Sequence, residues 1–562
     1  MSSPRLRVQF ESLFEHFNGQ DVGVQLEEIT EILFCTRRNA RIVLNKMEDE
    51  GWIEWRPAAG RGKLSDLIFK RSRSDVSENL ARRYLDEGKI GHAFSVLDQD
   101  AAKLTQVIQS YLGVQHQEGL QVIRLPYYRP LSMLNPLKSM RRSEQHIVMQ
   151  IFSGLTRLDE YEQLQPDLAH TWESVTATHW RFYLRPGVRF HNGDLLTTDG
   201  VIQSLWELRF LNLFSHLDRI SSPSNWVIDI FLQKADSRLP LLLSESCAKI
   251  LLPESNRSDN FDLMPIGTGP YKVILNDEKR LVLQAFDGYF GFRPLLDRVE
   301  VWVIDEVHSS MVFPSLSHPI KTKRGSFTED VDLDPGCTYL LLNRKNGVAA
   351  DVNWASYLTN KLSTLNLFRQ LPEDKVVELG VLPAYGLKPG WYHQSSGDVA
   401  ATPPGERSIT IAYHAQHPMF PSLVKTIQQL LKEDGISVEL VKYDLTVEDT
   451  DAVDVWVKPM GIANHREDAL AGWLLDYSDI EHLSRAEDFS YWCQLVDEWR
   501  ADPNAIFPAK EIGKSLIEKQ QVIPMFHCWL GISKDQCGAL QNAKCNALGW
   551  FDFSNVWVKP EL

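Results

Sequence analysis

Thr36-Arg37-Arg38-Asn39-Ala40-Arg41 runs on into Gly51-Trp52 and then Gly60-Arg61-Gly62-Lys63. Thr36 offers a hydroxyl to cap a helix expected over Arg37 to Glu50, and Gly51 closes it. Ala40, Val43, Leu44 and Met47 recur three and four apart, which gathers them on one face. Arg37, Arg38, Arg41, Asn45 and Lys46 fall on the other. Such a helix packs on a core while presenting arginine forks outward, and those forks fit guanine edges and phosphate oxygens.

The flanking sequence supplies a matching frame. Leu6, Phe10, Leu13, Phe14 and Phe17 share a helical face that Asn18-Gly19 ends. A second helix is expected from Gln25 to Leu33, with Leu26, Ile29, Ile32 and Leu33 inward, and Phe34-Cys35 forms the turn into the third. Beyond Gly51, Trp52 to Arg56 and Leu64 to Lys70 alternate around a Gly-rich turn and read as a hairpin. Three helices and a hairpin make a winged helix-turn-helix over residues 1–73, the third helix entering the major groove and the wing touching backbone or minor groove. Cations on a helix face are ordinarily just solvated; here helix, cap and wing agree on DNA contact. The expected contacts are Thr36, Arg37, Arg38, Asn39, Arg41, Asn45, Lys46, Arg56, Arg61 and Lys63. Arg61 and Lys63 suit phosphates, Asn39 and Asn45 either read bases or cap, and Trp52 and Trp55 form core beneath the wing.

Charge looks contrary at first. The formal net charge of −15 disfavours nucleic acid, yet Thr36 to Arg73 holds ten Lys or Arg against five Asp or Glu. At 562 residues the chain exceeds one core. No apolar run reaches the ~18 residues of a membrane span, and Met1 to Glu11 has no apolar signal segment, so no membrane association and a cytoplasmic location are expected. Cysteines 35, 247, 337, 493, 528, 537 and 545 lack a CxxC pair, which favours buried thiols over disulfides or zinc.

Residues 74–118 read as a helical connector, with Gly88 and Gly91 as breaks. From 119 to 562 the texture is α/β: a strand at Leu120 to Leu125, a helix at Ser143 to Leu155, a strand at Trp180 to Leu184, then strand, helix and strand at Ser408 to Tyr413, Pro421 to Glu433 and Ser437 to Tyr443. That order implies a mostly parallel sheet, and Gly397 to Gly405 a loop between subdomains. Tyr127, Tyr128 and Arg129 follow the first strand, where α/β clefts collect ligands. Arg141 and Arg142 precede a helix and suit a basic rim; Asn343 and Trp391 are weaker candidates, and Trp550 and Phe551 read as core. Each has a plain packing alternative. His191 reads as structural, and His465 and His482 are too far apart for a helical metal pair. Gly267-Thr268-Gly269 lacks the P-loop Lys-Ser/Thr. With no nucleophile elbow or placed carboxylate pair, neither catalysis nor a cofactor is expected.

Three phrases resemble the solute-binding proteins of the oligopeptide and nickel type, family 5: Ile151 to Asp159 with Pro166 to Glu173, Phe182 to Asp194, and Ile266 to Tyr271. The resemblance spans roughly residues 120–560. Together with Cys35 to Arg38, Gly60 to Lys63, Pro126 to Leu131, Pro383 to Leu387 and Leu548 to Phe553, the whole chain resembles SgrR-type transcriptional regulators; YbaE-like regulators share several phrases. The resemblance implies a multi-domain α/β chain: a winged helix-turn-helix followed by a two-lobed, periplasmic-binding-protein-like type II domain. It also implies a bacterial regulator that binds promoter DNA, senses a small-molecule effector such as a sugar phosphate under sugar-phosphate stress, and acts on RNA polymerase. The competing reading is a transport-associated receptor for a peptide or sugar. These residues set neither oligomeric state nor activation against repression.

Overall fold

The structure is a computed structural model. It describes residues 4–58, 63–86, 89–97, 107, 111–117, 119–138, 140–253, 259–304, 331–374, 376, 380–392, 402–405, 408–417, 419–444, 447, 449–477, 479–531 and 540–560. Arg61, Cys537, most of the helical run around Leu104 to Leu112 and most of the loop from Gly397 lie outside these. The chain divides into two compact units, Met1–Leu112 and Gly113–Leu562.

In the first unit, α1 (Pro4–His16), α2 (Leu26–Ile32) and α3 (Arg37–Asp49) pack with β1 (Val22–Val24), β2 (Ile53–Arg56) and β3 (Ser65–Phe69). The three strands form an antiparallel sheet in the order β1-β3-β2, with Val22 opposite Leu67 and Ile53 opposite Phe69. The hairpin and helices stand where the sequence places them. β1 is an addition, too short at 3 residues to show alternation. Apolar faces converge on Phe10, whose ring meets Trp52 at 5.6 Å and Phe69 at 5.9 Å. Gly51 takes φ 69°, where a side chain is strained. Two more helices, α4 (Arg73–Asp86) and α5 (Ile90–Leu97), bury Leu80, Leu85 and Leu97 in this unit. Arg7 donates to the Val96 carbonyl at 2.9 Å, and Arg83 bonds Glu50 at 2.9 Å.

The second unit is built on mixed sheets. One has five strands in the order Tyr271–Asn276, Arg280–Ala285, Arg298–Val303, β5 (Leu120–Tyr127) and β4 (Gly113–Gln117). Only β5 and Arg298–Val303 run parallel there. The other main sheet runs Leu382–Pro383, Val522–His527, Thr338–Leu342, β8 (Val455–Pro459), β6 (Ser408–His414), β7 (Ser437–Tyr443). Its last three strands are parallel and the rest antiparallel. The expectation of a mostly parallel sheet is therefore corrected. In the first sheet short hairpin connections force antiparallel pairing, as where Asp277 accepts from the Lys279 and Arg280 amides at 2.8 Å, and in the second Thr338–Leu342 pairs antiparallel with strands distant in sequence; parallel pairs need a long crossover. Such a crossover is α7 (Phe420–Glu433), between β6 and β7.

Each main sheet has its own core. The first gathers Ile123, Leu125, Ile147, Ile151 and the C-terminal Trp550, Phe551 and Phe553; the second gathers Leu340, Ile411, Leu423, Ile427 and Val455. These are the two lobes. Val331–Leu333, which precedes Thr338–Leu342, pairs antiparallel with Trp529–Gly531, which follows Val522–His527. α6 (Arg142–Ile151) lies in the first lobe. Its C-terminal end is fixed by two of the phrases noted in the sequence. The His191 ring meets the Gly269 carbonyl at 3.0 Å and accepts from the Gly267 amide at 3.2 Å, and Gly269 donates its own amide to Ile151 at 2.8 Å.

Candidate functional site

α3 separates its residues as its spacing demands. Ala40, Val43, Leu44 and Met47 are buried, and Thr36 accepts from the Asn39 amide at 3.4 Å. Thr36, Arg37, Arg38, Arg41, Asn45 and Lys46 are exposed, with Asn39 half-buried. Arg37 is ion-paired with Glu27 of α2. Arg56 bonds Glu54 at 2.7 Å, and Glu54 also pairs with Lys70 at 2.6 Å. These two partners, Lys70 first, hold the Glu54 carboxyl below its usual range. Lys63 is exposed near the wing, whose base is tied by the Ala58 amide donating to Ser65 at 3.0 Å. Phe34 lies in the turn where the sequence places it, but its exposure was not foreseen. It stands 95% exposed in the turn before α3, at φ 47°.

In the second unit a cavity of about 350 Å³ opens between the lobes, near the lower end of the range usual for small-molecule sites. The end of β5 and the start of α6 supply the first wall: Tyr127, Tyr128, Arg129, Arg141, Arg142, Glu144 and Gln145. The second wall includes His414, His417, Tyr443, Asp444, Trp456, Lys458 and Asp479. Five of the sequence candidates thus meet in one place. Asn343 and Trp391 do not. Asn343 is fully buried, donating to the Val453 carbonyl at 3.1 Å and accepting from the Asn346 amide at 2.9 Å. Trp391 sits in a hydrophobic core against Gly386 and Gly513.

The three arginines differ sharply. Arg129 is buried and bound through both terminal nitrogens to Glu144, the second bond at 2.8 Å. It also lies over the Tyr127 ring at 5.4 Å, while Tyr127 shares a 2.5 Å hydrogen bond with Ser143. Arg142 is ion-paired with Asp334; burial opposes its charge, but Asp334 outweighs that and holds the guanidinium above its usual range. Arg141 reaches the opposite lobe instead, donating to Gln416 Oε1 at 3.1 Å, to His414 Nδ1 at 3.1 Å and to the Asp444 carbonyl. All those partners are neutral. Burial, and then the charge of Arg129, lower its pKa. Burial, with Arg141 next, pushes His414 down to about 3, so its ring is a neutral acceptor near pH 7.

The far wall adds Lys458, which pairs with Asp479, lies 5.0 Å from the Trp456 ring and is pushed down by burial to about 8. Asp479 takes a left-handed φ of 59°, just past an unusual π-helical turn at Trp473–Tyr477. Such turns and such backbone recur at functional sites. Several cleft atoms are shielded from water yet lack a hydrogen-bond partner among the described residues: Arg141 Nε, Gln145 Oε1, Tyr443 Oη and Trp456 Nε1. An unpaired buried polar group costs about 1–3 kcal/mol. Sequence reasoning missed this second wall although the signal was present. His414 and Tyr443 end β6 and β7, and Lys458 nearly ends β8, the strand ends where α/β sheets bind ligands.

Among the described residues no three His, Cys, Asp or Glu side chains gather as metal ligands, and the described cysteines are free thiols. No helix among them is long and apolar enough to cross a membrane. A winged helix with an exposed cationic recognition face, carried on one chain with a two-lobed arginine-lined cleft, defines a ligand-sensing DNA-binding transcription regulator. The comparisons with known proteins agree. Residues 5–119 match the family described as sugar transport-related sRNA regulator, N-terminal, and residues 163–312 match the family 5 middle region of bacterial extracellular solute-binding proteins. The HTH-type transcriptional regulator SgrR of Yersinia pseudotuberculosis serotype I (strain IP32953) is 34% identical over 563 residues, covering all of both chains. That of Pectobacterium atrosepticum is 35% identical over 573 residues, again covering both chains fully. The chain belongs to the SgrR family of HTH-type transcriptional regulators. Its fold is similar to that of the binding protein AgaA in complex with agropinic acid (TM-score 0.62, 16% identity, 78% of this chain and 99% of that one). The Escherichia coli murein tripeptide binding protein MppA is also similar (TM-score 0.61, 14% identity, 80% of this chain and all of that one).

Proposed function

We propose that this regulator senses a small organic anion, a sugar phosphate being the class that fits, and answers it at promoter DNA in the cytoplasm through contacts with RNA polymerase. The observation that carries the effector half is Arg141. It is a partly buried guanidinium in a small interlobe cleft, and among the described residues its hydrogen-bond partners are all neutral. A phosphate or carboxylate would give it the charged partner it lacks. Because Arg141 belongs to one lobe and its present partners to the other, an anion that recruits it changes the contact between lobes, and differential affinity for the two arrangements is what a switch requires. The DNA half rests on the exposed face of α3, with Arg38, Arg41, Asn45 and Lys46 outward. We read the chain as a regulator without catalytic activity.

The test pairs two measurements on the full-length protein. Thermal shift against a panel of cytoplasmic metabolites should show anionic compounds raising the melting midpoint, since a ligand that binds only the folded state stabilises it. Arg141→Gln should abolish that rise while the protein still binds promoter DNA in gel shifts. A midpoint raised only by neutral compounds, or equally in Arg141→Gln, overturns the anion reading.

A further inference from the structure

Three residues of the cleft have polar atoms that the anion anchor does not explain. Tyr443 ends β7, Trp456 lies in β8, and Gln145 lies in the first turn of α6. All three line the cavity and are buried, at 8%, 4% and 2% exposure. The Tyr443 hydroxyl, the Trp456 indole nitrogen and the Gln145 amide oxygen are each shielded from water with no hydrogen-bond partner among the described residues. Packing alone would be served as well by Phe, Phe and Met. A buried polar group left unmatched is destabilising, and a hydroxylated ligand seated in this cleft would match all three.

We propose that Tyr443, Trp456 and Gln145 are specificity residues: they read the hydroxyl groups of the effector beside the anion anchored at Arg141. This rests on the cleft reading above. The donor set suits that role. Tyr443 and Trp456 present O–H and N–H to oxygen lone pairs, and Gln145 presents a carbonyl oxygen to a hydroxyl proton. The Tyr443 ring packs on His414 at 4.2 Å and on Trp456 at 5.5 Å, and His414 is the residue Arg141 grips, so Tyr443, Trp456 and the anchor form one contiguous cluster. They also come from both lobes, Gln145 from the first and the other two from the second. A hydroxylated anion that satisfies all three is therefore bonded to both walls, whereas a bare anion at Arg141 leaves the readers unmatched. A site built to pair a hydroxyl discriminates against an analogue lacking it, because the site's own polar groups are then stranded.

The experiment uses full-length protein and three probes, glucose 6-phosphate, glucose and inorganic phosphate, in calorimetric titrations of wild type, Tyr443→Phe, Trp456→Phe and Arg141→Gln. The sugar phosphate should bind wild type best. Tyr443→Phe and Trp456→Phe should each weaken it about three- to tenfold and leave inorganic phosphate unchanged. Arg141→Gln should weaken both anions. Since the Tyr443 hydroxyl has no hydrogen-bond partner among the described residues, Tyr443→Phe should keep or raise the melting midpoint without ligand, a result that a merely structural hydroxyl would not give. Tyr443→Phe and Trp456→Phe that leave discrimination between sugar phosphate and phosphate intact overturn the specificity assignment alone. A wild-type protein that binds none of the probes overturns both this and the anion reading beneath it.

Discussion

Arg129 and Glu144 form a buried, two-pronged ion pair on one wall of the cleft, with side chains 4% and 3% exposed. The pair joins the segment after β5 to the first turn of α6. Removing one member strands the other's charge in a poorly solvated site, which costs about 3–5 kcal/mol, while replacing both with apolar groups of similar size is often nearly neutral. Arg129→Met should therefore lower the urea midpoint strongly, and Arg129→Met with Glu144→Met should recover most of the loss. Equal destabilisation by single and double variants would show that the pair does not act as a unit.

That pair also shows where sequence reading reached its limit. Tyr127, Tyr128, Arg129, Arg141 and Arg142 were legible as cleft residues from their place after the first strand and before a helix. Their division of labour was not. Nothing local reveals that Glu144 claims Arg129, that Asp334, 192 positions beyond Arg142, claims it, or that Arg141 meets His414 across 273 positions. Such partners are set by tertiary approach. The winged helix was readable almost residue by residue, because its signals are local: a cap at Thr36, four apolar positions at helical spacing, and Gly51. The strand order was not, since β6, β7 and β8 share a sheet with Thr338–Leu342 and Val522–His527, antiparallel strands that lie far away along the chain.

Gly267 gives a sharper test of how α6 is positioned. A Cβ there would lie 2.2 Å from the Ile151 carbonyl oxygen, at the end of the helix that brings Arg142, Glu144 and Gln145 to the cleft. The obstacle is backbone, which cannot swing aside as a side chain would. Gly267→Ala should lower the midpoint by several degrees or more, with overpacking of about 1–3 kcal/mol as the minimum expected. Effector-induced stabilisation should shrink with it. A variant that melts like wild type would mean that this contact relaxes freely.

Glu245 supplies a pH-dependent prediction. Burial, with Asp468 and Asp476 adding to it and Lys249 opposing, pushes its carboxyl up to about 7. The folded group thus holds its proton in a range where the unfolded chain has lost it, so the group's contribution to stability falls as pH rises from about 4.5 to about 7. Glu245→Gln keeps the shape without the charge. It should match wild type near pH 4.5 and exceed it at pH 8 by roughly 2–3 kcal/mol. Urea midpoints at the two pH values check this; an equal offset at both would remove the ionisation of Glu245 as the cause.

Arg38 and Arg41 differ from Arg37 in being unpaired on the exposed face of α3, since Glu27 holds Arg37 and no carboxylate among the described residues holds the other two. An exposed ion pair is weak, so Arg37 remains recruitable, but its partner must be displaced first. If all three face phosphates or bases, each removed cation lowers the slope of log affinity against log salt by about 1. Arg38→Ala with Arg41→Ala should thus flatten that slope by about 2 and abolish promoter preference, leaving effector affinity intact. Glu27→Gln should act in the opposite direction, freeing Arg37 and tightening DNA binding modestly at low salt. Anisotropy titrations of a promoter fragment across about 50–200 mM salt separate these outcomes. An unchanged slope in the double variant would move the DNA contact off α3.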